Sequence, residues 1–219
     1  MASQRRDPPV PPLPPSSAED ARERILRAAY DLFCRAGIGS TGIDRIVAEA
    51  GVAKMSLYRH FASKDDLVRA VLETREDLWT KGWLEYEVER RGATPAERLL
   101  AVFDVFDEWF RRDDYESCFF IRSLFETAGG DTPILEAAAR HFSNVRGPLR
   151  RLAEEAGARD PEAFARELQI LMSGAIVSAT AGDAEAAGRA RELARLLFDR
   201  EGLRLSESPP RSRALHSRP

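Results

Sequence analysis

The apolar positions of this chain recur at three- and four-residue spacing along most of its length, and no stretch carries a strand signal. That period predicts amphipathic helices. The first spans 17–36, with Ile25, Ala29, Leu32, Phe33 and Ala36 on one face, Ser17 and Asp20 as a variant capping box, and Gly37 as the stop. A second, 42–50, carries Ile43, Ile46, Val47 and Ala50, with Thr41 as its N-cap. A third, 54–60, turns Leu57 inward and is followed by Phe61. Ser63 then caps a long fourth helix, 63–88, with Asp65 and Asp66 in its first turn and Gly82 as a weak point.

The same pattern continues through the rest of the chain. Thr94 and Pro95 read as N-cap and first helical position of a strongly apolar helix containing Leu99, Val102, Phe103, Phe106 and Phe110. Another covers 117–128 and stops at Gly129-Gly130. Pro133 opens a helix that Gly147-Pro148 should kink or restart, because an internal proline loses a hydrogen bond and clashes with the preceding turn. Asp160-Pro161 starts the next, rich in small residues over 173–181, and Asp183 the last. The expectation is an all-α protein of about nine helices.

The stretch from Ala50 to Lys64, AGVAKMSLYRHFASK, stands apart from this pattern. Two short helices joined at Gly51 describe a helix-turn-helix, and glycine suits a turn that needs positive φ. Val52 and Leu57 pack the second helix on the first. The rest of the stretch offers Lys54, Arg59, Lys64, His60, Tyr58 and two serines, and no acid. Burial does not account for such a face; a helix laid in a DNA major groove does.

Residues 21–67 resemble the DNA-binding segment of the TetR (tetracycline-repressor) family. The resemblance rests on Gly37, Thr41, Ile43, Ile46, Ala50-Gly51-Val52, Ser56-Leu57-Tyr58, His60-Phe61 and Ser63-Lys64, which keep the family's spacing without a gap. The chain departs from the family at Gly42, Val47 and Met55. The resemblance implies that Lys54, Met55, Ser56 and Arg59 meet base edges or nearby sugar. It implies that Thr41, Tyr58, His60 and Lys64 hold phosphates, with Arg45 able to do either. It further implies a three-helix head at 17–66, a helical ligand-binding and dimerisation body at 67–203, and a dimer formed by the last two long helices.

Composition narrows the rest. The 219 residues are 43% hydrophobic and 32% charged with a formal net charge of −3, so any affinity for nucleic acid must come from local charge. Two cysteines, Cys34 and Cys118, make no disulfide framework, and a buried inert Cys118 is favoured over a redox sensor. No apolar run reaches the ~20 residues of a membrane span, and no signal peptide precedes the first helix, so a soluble cytoplasmic protein is expected. The proline-rich residues 1–16 and the polar residues 204–219 read as disordered tails; Arg5 and Arg6 leave open an arm that touches DNA. His60, His141 and His216 lack metal-ligand spacing, and neither a nucleophile elbow nor a phosphate loop is present. No catalytic residue, metal or cofactor is therefore assigned.

The reading is a regulator that binds double-stranded DNA as a homodimer at a palindromic operator, most simply a repressor released by a small, largely apolar effector. Phe103, Phe106, Trp109, Phe110 and Phe125 would line the effector site, with Arg122 and His141 as polar contacts. Trp79 and Trp83 read as core aromatics in preference to a ligand box. The rival is a ligand-independent accessory or architectural DNA-binding protein, which a body too tightly packed for a pocket would favour.

Overall fold

A computed structural model describes residues 20–205 apart from 114, 116 and 127–131. The expectations for both tails, Ser17, and the Gly129-Gly130 stop lie outside the described residues. Within them the chain is all helix and turn, with no strand.

Three short helices make the head: α1 (Ala21–Ala36), α2 (Ile43–Ala50) and α3 (Lys54–His60). Asp20 caps α1, its carboxylate accepting from the Glu23 amide at 2.9 Å, so the helix begins four residues later than the sequence suggested. Ile25, Leu32, Phe33, Ile46, Leu57 and Phe61 close one core beneath all three helices. Gly51 takes φ 62°, ψ 40°, the left-handed turn expected of it. Thr41 departs from expectation. Gly42 stands at the N-cap of α2 without a side-chain cap, while Thr41 is fully buried and donates its hydroxyl to the Gly37 carbonyl at 2.8 Å.

Ser63 caps α4 (Lys64–Arg75), accepting from the Asp66 amide at 3.1 Å. The helix continues without a break through a π-helical segment, Glu76–Leu84, into α5 (Glu85–Arg91). Gly82, the anticipated weak point, falls in the widened segment. Thr94 and Glu97 form a full capping box at the start of α6 (Pro95–Phe110). α7 (Phe119–Glu126) begins two residues after the 117 expected, and the expected end at 128 lies outside the described residues.

α8 runs from Thr132 to Ala156 as a single helix with Pro148 inside it, so the anticipated restart does not occur. Val145, Leu149 and Ala153 are buried on one face across the proline, and that shared packing offsets the roughly 3 kcal/mol an internal proline costs. Asp160 caps α9 (Pro161–Thr180). The last helix, α10 (Ala186–Glu201), begins three residues after Asp183, whose carboxylate accepts from the Glu185 amide instead. α9 and α10 pack side by side, with Phe164 and Phe198 edge to face at 5.2 Å, and both rest on α6. With Lys64–Arg91 taken as one run, nine helices are seen among the described residues.

Head and body share polar ties as well as core. Buried Arg75 of α4 donates to the Tyr30 hydroxyl of α1 at 2.7 Å. On α7, Arg122 donates to the Cys34 carbonyl at 2.7 Å. The Glu126 carboxylate accepts from the Ile38 and Gly39 amides at 2.7 and 3.1 Å. Body helix α7 therefore grips the turn between α1 and α2.

Candidate nucleic-acid interface and body cavities

α3 buries one residue, Leu57, and leaves Lys54, Met55, Tyr58, Arg59 and His60 exposed, with Ser56 partly covered. Met55 is 67% and Tyr58 45% exposed, large apolar surface that the fold makes no use of. The charge on this face is not all idle. Lys54 pairs with Asp44 of α2 at 2.7 Å, a contact in water that a stronger anion can replace. Lys64 reaches back to donate to the Ile38 carbonyl at 2.6 Å. Arg45 is exposed on α2 beside this surface. Thr41 leaves the set of phosphate contacts, because its hydroxyl is sealed inside the head. Sequence reasoning also passed over the start of α1. Arg22 lies over the Phe61 ring at 5.2 Å, and the Arg24 guanidinium lies near Gly51, adding basic charge next to the helix-turn-helix.

Of the seven residues proposed for the effector site, Phe106 and His141 line one small cavity, and the other five do not join them there. Phe103, Phe106 and Trp109 are buried core, with Trp109 packed against Trp79 and Phe106 at 5.2 and 5.7 Å. Phe110, half-buried, packs against Phe106 and Tyr115. Phe125 is 73% exposed on the outer face of α7, and Arg122 is spent on the Cys34 carbonyl; both tie or flank the head rather than line the body. Trp79 and the partly buried Trp83 meet in a tilted contact at 5.6 Å, packed on the core.

Another space in the body is walled by different residues. A cavity of about 280 Å³ opens between the π-helical segment, α5, α6 and α8. Leu84, Val88, Val102, Leu149, Leu152 and Met172 line it, with Thr80, Arg98, Glu85 and Arg151 among the polar groups. The Thr80 hydroxyl is buried and has no partner. The signal available in sequence was the aliphatic faces of α6 and α8 with Leu84 and Val88 between them; weight given to aromatic residues obscured it.

His141 sits apart from that cavity. It is 4% exposed, stacked on Phe120 at 3.6 Å with parallel planes, and its Nδ1 meets the Glu76 carboxylate in a very short contact. It also shares a hydrogen bond with Cys118. Burial pulls the imidazole down, but Cys118 and Glu76 together hold it up at about 9. Burial pushes the Cys118 thiol up, and His141 with the Phe120 and Ile121 amides brings it below the ordinary thiol range. Among the described residues no cluster has the makings of a metal site, and no helix is long and apolar enough to cross a membrane.

Comparison with known proteins agrees with this geometry. The profile described as bacterial regulatory proteins, tetR family, matches residues 25–71, and that of the tetracyclin repressor-like C-terminal domain matches residues 95–194. A TetR-family transcriptional regulator from Streptomyces coelicolor superposes with a TM-score of 0.72 at 27% identity, over 84% of this chain and 90% of that one. A tetR-type regulator from Streptomyces avermitilis gives 0.75 at 28% identity, over 85% and 100%. Among curated proteins, the transcriptional activator FasR of Mycolicibacterium smegmatis is 33% identical over 43% of this chain and 42% of its own length. The transcriptional repressor KstR2 of the same organism is 32% identical over 42% and 44%. The matched stretch thus spans less than half the length of these two regulators.

Proposed function

The chain belongs to the TetR family of bacterial regulatory proteins, and from that premise we propose that it is a DNA-binding transcriptional regulator that acts as a dimer and answers to a small apolar effector. One observation carries the reading. α3 is anchored by Leu57 alone and presents Lys54, Met55, Tyr58, Arg59 and His60 outward from a left-handed turn at Gly51. Arg59 and Lys54 are the long donors suited to guanine edges. Tyr58, His60 and Lys64 sit where phosphates would pass, and phosphate contacts set register without reading sequence.

Release of DNA follows from how the cavity is built. Thr80 and Leu84 belong to the π-helical segment, which is continuous with α4 and so with Lys64 at the edge of the head. A molecule seated against those residues pushes on one rigid run that ends at the DNA-facing surface. Aliphatic walls select an apolar ligand, and the unpaired Thr80 hydroxyl selects one carrying a hydrogen-bonding group. A cavity of this size favours the effector-responsive reading over an accessory binder. Repression is the simpler mode, since effector-driven release of DNA then turns transcription on; relatives named as activator and as repressor both occur.

The test is a titration of the purified chain against a duplex obtained by binding-site selection and against a scrambled duplex, at several salt concentrations. Arg59→Ala should cost roughly 1–3 kcal/mol on the selected site and little on the scrambled one. Equal affinity for both duplexes in the unaltered protein would overturn the regulator reading.

A further inference from the structure

Cys118 is not packed as an inert thiol. It directly precedes α7, and the backbone amides of Phe120 and Ile121 favour its thiolate. His141 hydrogen-bonds the sulfur from the other side, and Glu76, bound to Nδ1, leaves the second ring nitrogen to do so. Stacking on Phe120 fixes the plane of the ring. This is a carboxylate, an imidazole and a thiol in line at a helix N-terminus, the surroundings that turn a cysteine into a nucleophile. The residue before it, Ser117, is held at φ 69°, a conformation that costs energy in a non-glycine residue.

Two further observations point to a reactant. Cys118 and His141 line a cavity of about 20 Å³, room for one water-sized molecule. Trp79 lines the same cavity, is 4% exposed, and its indole N–H has no partner in the protein. His141 also lines a surface cleft of about 310 Å³ with Glu76 and Phe120.

We propose that Cys118 is a modification site for hydrogen peroxide, and that its oxidation loosens the grip of α7 on the head. The sulfur of the thiolate attacks one peroxide oxygen; the S–O bond forms as the O–O bond breaks. Sulfur gives up two electrons and the peroxide takes them. The departing hydroxide takes the proton from the His141 imidazolium and leaves as water, so the products are a sulfenic acid and a neutral imidazole. The contact between Cys118 and His141 is thereby altered, and the added oxygen fills the water-sized space beside the sulfur. Four and eight residues further on, Arg122 and Glu126 hold the Cys34 carbonyl and the Ile38 and Gly39 amides. A displaced start to α7 shifts those contacts.

The experiment uses the full chain, hydrogen peroxide, a cyclic 1,3-dione that traps sulfenic acids, and site-resolved mass spectrometry. At pH 7 Cys118, beside His141 and the water-sized cavity, should be trapped roughly tenfold or more faster than Cys34. Cumene hydroperoxide, too large for the cavity, should leave Cys118 unmodified. His141→Gln should slow trapping at Cys118, and the comparison of the two cysteines in the unaltered protein decides the matter even if that variant misfolds. Trapping at Cys34 first, or equal reaction with both peroxides, overturns the site. Hydrogen exchange at the Ile38 and Gly39 amides reads the coupling without any appeal to DNA. It should quicken after oxidation of the unaltered protein and stay unchanged in Cys118→Ser. Unchanged exchange in a fully oxidised protein overturns the coupling.

Discussion

At the scale of single residues, small groups decide how head and body meet. Gly37 sits at φ 85°, and a Cβ there would stand 2.5 Å from the Glu126 carboxylate. Gly37→Ala therefore combines left-handed strain with a clash against the group that holds the α1–α2 turn. We expect a loss of about 1–2 kcal/mol in urea unfolding and faster exchange at the Ile38 amide. A variant as stable as the parent would show that Glu126 does not grip this turn in solution. His141 makes a second case. Its imidazole, held at about 9 against an ordinary 6.5, favours the folded state fully below pH 6.5, and that share is lost as pH rises through about 9. The lowered Cys118 thiol contributes in the opposite sense, present above the ordinary thiol range and lost as pH falls. The two shares oppose each other in overall stability, so NMR titration of the His141 ring is the discriminating measurement. A midpoint near 6.5 would mean that the pair with Cys118 does not form.

At the scale of elements, the widened turn between α4 and α5 has a consequence for ligand binding. In ordinary helix the Thr74 hydroxyl donates to the carbonyl four residues back, Ala70, at 2.8 Å. Thr80, inside the π-helical register, finds no such partner and is left buried at the cavity wall. Such segments recur at functional sites because they displace one residue from the regular ladder. The start of α6 is the opposite case, closed on every side. Glu97 accepts from the Ala93 and Thr94 amides, and its own amide donates to the Thr94 hydroxyl. Thr94→Ala should cost about 1 kcal/mol by thermal unfolding, the usual worth of such a cap, and leave α3 and DNA affinity untouched. No measurable change would mean that α6 is held by core packing alone.

At the scale of the whole molecule, the outer faces of α9 and α10 are unfinished. Ile170, Val177, Leu193 and Leu196 are 68, 47, 50 and 64% exposed, an apolar patch on paired helices. A two-fold dimer covers the same patch on both copies. Ile176, on the same helix as Ile170 and Val177, is 5% exposed and faces the protomer's own core. Ile170→Glu with Leu196→Glu should yield a folded monomer by light scattering that binds the selected duplex far more weakly. A dimer that survives both substitutions would place the interface elsewhere.

The sequence alone determined whatever depends on neighbours along the chain. Helical period, the caps at Ser63, Thr94 and Asp160, the turn at Gly51, and the ungapped run from Ala50 to Lys64 are local properties, and they carried the fold class, the family and the bounds of α3. Tertiary structure decided what depends on which faces meet. Pro148 was kept in an unbroken α8 because both halves of the helix share one buried face, a gain that the local penalty could not reveal. Thr41 turned inward onto the Gly37 carbonyl, and Arg122 was drawn to the Cys34 carbonyl because α7 packs against the head. Cys118, His141 and Glu76 come from three separate helical neighbourhoods, so their chain of contacts exists only once the body has closed around it.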